Sequence, residues 1–193
     1  MFFKLIFEKH VVVVDRSDTK VFKESDLFCM EAPSFYIDIF LQPGDFYFGD
    51  SDTRIRTILG SCVAITLWHP ILRIGGMCHY MLPKNNRRQP HAHLDGRYAD
   101  EAVQLFLKEI KKSRTHPRDF EVKMFGGGNQ FPSQNVGELT VSDKNIELGR
   151  RLLSEHGFSV RCEHMGGVGH RNVMFDLWSG DVWVKHVEKV IIP

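Results

Sequence analysis

Cysteine is scarce and scattered in this chain: four residues in 193, at positions 29, 62, 78 and 162. The gaps of 33, 16 and 84 residues fit neither a zinc-ligand pattern nor a Cys-x-x-Cys redox pair, so reduced thiols are expected. An excess of one charge is also lacking. Twenty-five Lys and Arg against 24 Asp and Glu leave +1, too little to recruit nucleic acid or anionic lipid through a global field. The most basic run, Lys84 to Arg88, reads as a solvated loop. No apolar stretch approaches the roughly 20 residues of a membrane span. The apolar start, Met1 to Phe7, is broken by Lys4, followed by Glu8, Lys9 and His10, and has no small-residue cleavage site. Neither membrane insertion nor a signal peptide is expected, and the expected location is cytoplasmic. Internal repeats and low-complexity tracts are missing too.

What is present describes an ordinary globular chain, 42% apolar and 25% charged. At this length about 70% of the unfolded surface is buried on folding, so a core needs no crosslinks. Residues 1–35 read as an N-terminal extension of unclear role, with one β-like run at Val11 to Val14 and a polar stretch from Asp15 to Asp26. Residues 36–193 read as one domain. Within it, β-rich runs dominate: Ile37 to Leu41, Val63 to Trp68, Arg73 to Tyr80, Phe120 to Phe125, Phe158 to His164, Val173 to Trp178 and Val182 to Val187. The last two flank Ser179-Gly180-Asp181 and predict a hairpin.

Two segments have helical period. Arg97 to Ser113 places Tyr98, Ala102, Leu105, Phe106 and Ile110 on one face, with Asp95 as the expected cap. Ser142 to His156 starts at a capping serine and stops at Gly157. Few helices among many strands predict an α+β fold: a layered sandwich of mixed, largely antiparallel β-sheets with helices packed on the outside.

The sharpest local feature is Thr57-Ile58-Leu59-Gly60-Ser61-Cys62 running into the strand that begins at Val63. It sets a cysteine at a strand mouth, beside a glycine that permits close approach of a substrate. His69-Pro70-Ile71-Leu72 follows as a four-residue connection. If Trp68 then opposes Arg73, Cys62 opposes His79, and facing side chains in an antiparallel pair lie close enough to share a proton. Cys78 points to the other face and reads as core packing. A histidine beside a thiol raises its thiolate fraction or takes its proton, and the protonated imidazole can then serve a leaving amine. That pairing suits hydrolysis of amides or esters. Oxyanion donors are expected from the backbone around Gly60, Ser61 and Cys62, with the Gly126-Gly127-Gly128 turn as a further source. Thr57 is the nearest residue able to orient the imidazole, and Ser61 is its rival.

Gly60-Ser61-Cys62-Val63-Ala64, Gly75-Gly76-Met77-Cys78-His79-Tyr80-Met81-Leu82-Pro83 and Tyr98-Ala99-Asp100 together resemble the chemoreceptor glutamine deamidase family, CheD. The resemblance continues through Phe125-Gly126-Gly127-Gly128, Val136-Gly137, Gly166-Gly167 with Arg171, and Gly180-Asp181-Val182, covering roughly Asp38 to Val187. It implies a protein-glutamine glutaminase acting on glutamines, and in some members on glutamate methyl esters, of the cytoplasmic helices of methyl-accepting chemotaxis receptors. Cys62, His79 and Thr57 are the catalytic residues it implies. It implies no cofactor, and a CheC-type phosphatase as a further partner. The family's asparagine comes about three residues after its Val/Ile-Gly pair. Here Asn145 lies eight beyond Gly137, which predicts an enlarged surface loop over Glu138 to Asp143.

Two other readings compete. His91-Ala92-His93-Leu94-Asp95 has the spacing of a metal-binding segment and would serve a zinc hydrolase, although no third histidine follows in the usual place. The non-enzyme alternative is a chemotaxis adaptor that binds receptors or a phosphatase without turnover. Gly126-Gly127-Gly128 lacks the following residues of a phosphate loop and reads as a tight turn.

Overall fold

The computed structural model describes residues 3–4, 32–86, 93–129 and 140–188. In chain order the strands are β1 (Phe3–Lys4), β2 (Ile37–Phe40), β3 (Phe46–Gly49), β4 (Thr53–Leu59), β5 (Val63–His69), β6 (Ile74–Tyr80), β7 (Glu121–Gly126), β8 (Val160–Met165), β9 (His170–Asp176) and β10 (Asp181–Val187). Helix α1 (Ala99–Lys112) lies between β6 and β7, and α2 (Val141–Glu155) between β7 and β8.

Two five-stranded sheets result, ordered β1-β10-β9-β4-β2 and β3-β6-β5-β7-β8. All pairings are antiparallel except β2 with β4 and β7 with β8. The side-chain period of two sorts β5 and β6 cleanly. Val63, Ile65, Leu67, Cys78 and Tyr80 face α1 and α2, where they bury with Val103, Phe106, Ile146 and Leu153. Ala64 and Met77 face the other sheet and bury with Ile55, Leu59, Val173 and Phe175. The molecule is therefore layered sheet, sheet, helices, an α+β sandwich with both helices on the outer face of the second sheet. Cys78 is fully buried on the helix side, as its alternation required.

Several local expectations shift. The turn between β5 and β6 is Pro70 to Arg73, with Arg73 at φ 52, and Trp68 pairs with Gly75 rather than Arg73. His79 accordingly opposes Ala64, and Cys62 sits one step beyond the ladder. A slip of two residues keeps every side chain on its face, so Cys62 and His79 remain on the same side as diagonal neighbours.

Helix α1 begins at Ala99, with Tyr98 at the cap position and no side-chain cap. Asp95 instead grips the Arg97 guanidinium and its backbone N–H. Helix α2 is capped by Thr140, not Ser142: Thr140 Oγ1 accepts from Asp143 N at 3.2 Å and Asp143 Oδ2 accepts from Thr140 N at 2.9 Å. Residues 140–143, expected in an enlarged loop, are thus the cap and first turn of α2, while Glu138 and Leu139 lie outside the described residues.

The hairpin around Gly180, at φ +76, forms as expected between β9 and β10. Gly157, at φ +78, ends α2. Of the extension, Phe3–Lys4 pairs with Trp183 and Val184 on the edge of the first sheet. The Val11 to Val14 run and Cys29 lie outside the described residues. No helix among the described residues is long and apolar enough to cross a membrane.

Candidate active site

β4 belongs to the first sheet and β5 to the second, so Gly60, Ser61 and Cys62 are the three residues that carry the chain across the sandwich. A crossover has no ladder of its own, and its carbonyls need other donors. All three find one. Gly60 O accepts from Gly128 N at 2.8 Å, Cys62 O from Gly127 N at 2.7 Å, and Ser61 O from Asn145 Nδ2 at 3.5 Å.

The triglycine turn makes this possible. Gly126 has φ +114, and a Cβ there would stand 2.2 Å from Cys62 O. A Cβ on Gly128 would stand 2.4 Å from Gly169 O. At Gly126 only a residue without a side chain lets turn and crossover touch, and at Gly128 only such a residue lets the turn meet Gly169. With the carbonyls turned toward the turn and the helix, no backbone acceptor among the described residues engages the N–H groups of Ser61 and Cys62.

Cys62 is partly buried and packs against the inter-sheet cluster. Burial pushes its thiol up from the ordinary value, partly offset by its own backbone N–H, so the resting group is the thiol. Of the two roles expected of a neighbouring histidine, this favours taking the proton over enriching the thiolate.

His79 is 1% exposed and projects into the same inter-sheet layer. Its backbone is clamped by the loop after β2, with Gly44 N donating to His79 O at 2.7 Å and His79 N donating to Asp45 O at 3.0 Å. Burial lowers the imidazole pKa below its usual value, against smaller raising effects from the Leu41 backbone and Asp45.

Thr57, 1% exposed, reaches His79 from the opposite sheet: Thr57 Oγ1 lies 2.8 Å from Nδ1 and donates its proton to Leu41 O at 2.9 Å. A hydroxyl has one proton to give. With that proton on Leu41 O, the Thr57 oxygen accepts from Nδ1–H, which leaves Nε2 as the bare, basic nitrogen. Among the described residues, Nε2 is buried without a hydrogen-bond partner. The arrangement holds a neutral thiol and a neutral imidazole on one face, with the imidazole's free lone pair available to a proton.

Of the three side chains expected at the site, the structure brings Thr57 onto His79 as a direct contact. Of the glycines, Gly127 spends its N–H on Cys62 O, holding the crossover, and Gly126 O accepts from Gly166 N at 2.9 Å. Two further residues at the site enter the sequence analysis only through the family resemblance, without a role. Asn145, fully buried on α2, donates to Met81 O at 2.9 Å as well as to Ser61 O. Its signal was its offset from Gly137, which had been assigned to a loop change.

Arg171, 1% exposed, donates from Nε to His164 Nδ1 at 2.7 Å and from Nη2 to Gly166 O at 2.5 Å, bracing the segment that Gly126 O holds. For the rival metal reading, no group of three or more His, Cys, Asp or Glu among the described residues could hold an ion. His91 lies outside those residues, and Asp95 is taken by Arg97.

Comparison with known proteins identifies the family. The family model for CheD chemotactic sensory transduction matches residues 81–186. A probable chemoreceptor glutamine deamidase CheD 3 of Dechloromonas aromatica is 49% identical over 153 residues, 79% of this chain and 89% of that protein. A probable chemoreceptor glutamine deamidase CheD of Pseudomonas syringae is 47% identical over 161 residues, 81% of this chain and 94% of that protein. Alignments that long within 193 residues necessarily span Thr57, Cys62 and His79. Among solved structures, the Bacillus licheniformis hypothetical protein YfiH shares 13% identity at a TM-score of 0.43, over 74% of this chain and 61% of that one, too distant to support an argument. By the family model and the extent of these identities, the chain belongs to the CheD family.

Proposed function

We propose that this protein is a chemoreceptor glutamine deamidase, a protein-glutamine glutaminase that works through Cys62, His79 and Thr57. The observation that carries the mechanism is the Thr57–His79 hydrogen bond, which leaves Nε2 bare on the face that Cys62 shares. The relatives' names support glutamine side chains on chemotaxis receptors as the substrate, and a substrate on the receptors' cytoplasmic helices goes with a cytoplasmic enzyme.

Sγ attacks the side-chain carbonyl carbon of a glutamine while its proton passes to His79 Nε2. The oxyanion is met by the backbone N–H groups of Ser61 and Cys62, which no backbone acceptor among the described residues engages. Collapse breaks the carbon–nitrogen bond, and the imidazolium gives its proton to the leaving ammonia. Water, deprotonated by the same nitrogen, then attacks the thioester and releases glutamate and the thiol. A glutamate methyl ester would follow the same path with methanol as the leaving group. Because Cys62 lies at a crossover and is only partly buried, the substrate is expected to be a side chain presented on a protein surface.

The test is mass spectrometry of receptor fragments incubated with wild type, Cys62→Ala and His79→Ala. Wild type should add about one dalton at specific glutamines, while both variants bind and leave the mass unchanged. Turnover by either variant would remove the assigned roles. Binding without turnover by wild type would make the protein an adaptor.

A further inference from the structure

Resting on this reading of the Cys62–His79 pair, we infer that Asn145 is a positioning residue, whose side-chain amide ties the strand end that carries the imidazole to the crossover that carries the sulfur. The β5–β6 ladder ends at Val63 and Tyr80, one residue short of Cys62. No ladder bond therefore fixes the distance between the crossover and β6 at the point where chemistry needs it fixed. Asn145 Nδ2 spans that gap, with Met81 O at 2.9 Å on one side and Ser61 O at 3.5 Å on the other. Met81 is two residues from His79, and Ser61 adjoins Cys62. Two carbonyl acceptors also fix which end of the amide faces the site, because an oxygen in that place would repel both.

The helix behind the amide is held just as closely. Tyr80 Oη donates to Asn145 O at 2.9 Å, and Gly149 lets that tyrosine approach, since a Cβ there would stand 2.2 Å from Oη. The residue is fully buried, so it acts through the two backbones and not on substrate.

The test needs a readout that lost stability alone would not move. Labelling of Cys62 by iodoacetamide between about pH 6 and pH 8 should contain a component that disappears in His79→Ala. That component reports the pairing without any receptor, so it stays informative if deamidation itself is never found. Asn145→Asp keeps the side-chain size and replaces the donor with oxygen. It should cut the His79-dependent component at least about ten-fold, and on a receptor fragment lower kcat while KM stays within about three-fold. Leu153→Ala opens a cavity under the same helix and should lower Tm while the component stays as in wild type.

Asn145→Ala, which adds no carboxylate to the core, is judged by the same criterion if the aspartate variant does not fold. The inference is overturned if either Asn145 variant keeps the component, if Leu153→Ala loses it equally, or if wild type lacks it. Failure of both Asn145 variants to fold also overturns it, by making Asn145 a determinant of folding rather than of geometry.

Discussion

With its one proton committed to Leu41 O, Thr57 sets the tautomer of His79 as well as its orientation. Burial raises the Cys62 thiol and lowers the imidazole, so near neutrality both groups are uncharged, and in the proposed mechanism the proton moves only as the sulfur attacks. An acid limb should therefore appear below the usual histidine value of 6.5, where His79 becomes protonated, and a plateau should extend upward because the thiol resists ionising. Thr57→Ser keeps the hydroxyl and should keep most of the rate, whereas Thr57→Val keeps the shape and should lose about 10- to 100-fold in kcat. An initial-rate profile of the three proteins from acid to mildly alkaline pH measures both effects. An acid limb above 6.5, or a valine variant as active as wild type, would contradict them.

Among the elements, the crossover and its glycines separate strain from function. Gly157 and Gly126 both have positive φ, but a Cβ on Gly157 meets nothing within 4 Å, whereas one on Gly126 meets Cys62 O at 2.2 Å. Gly157→Ala should cost only left-handed strain, about 1–2 kcal/mol, and leave kcat alone. Gly126→Ala adds displacement of the carbonyl of the proposed nucleophile, so it should lower kcat as well as Tm. Equal kcat in the two variants, measured on one receptor fragment, would detach the turn from catalysis. At this scale the sequence was read unevenly. β5, β6 and the β9–β10 hairpin announced themselves as apolar β-rich runs. β4 did not, because its outward positions carry Arg54 and Arg56, which pair with Asp176 and Asp38. Yet its inward set of Thr53, Ile55, Thr57 and Leu59 alternates perfectly with them. A β5–β6 register with Trp68 as the last residue of β5 is two residues off, because a turn's length does not fix where its strands end and the ladder runs on through His69. The even slip preserved the face and with it the site.

For the whole molecule, local patterns named the α+β sandwich, but which strand joins which sheet is set by non-local pairing. That is why the contact between Thr57 of one sheet and His79 of the other was legible only as a possible partnership. Burying histidines between sheets has a consequence for stability. His79 and His164 are both held below 6.5, His79 mainly by burial and His164 by burial together with Arg171 and His186. Unfolding returns each to its ordinary value, so below 6.5 the unfolded chain binds the extra protons and stability falls as pH is lowered through the folded values. His164 has a specific reason to resist charging, because its Nδ1 accepts from the Arg171 guanidinium at 2.7 Å. Urea midpoints at about pH 7.5 and about pH 5 should therefore drop toward acid, and His79→Gln with His164→Gln should flatten the drop. A wild-type midpoint that held or rose toward acid would mean that these imidazoles accept protons in the folded state as readily as in the unfolded chain, and would remove the neutral resting pair on which the plateau in activity depends.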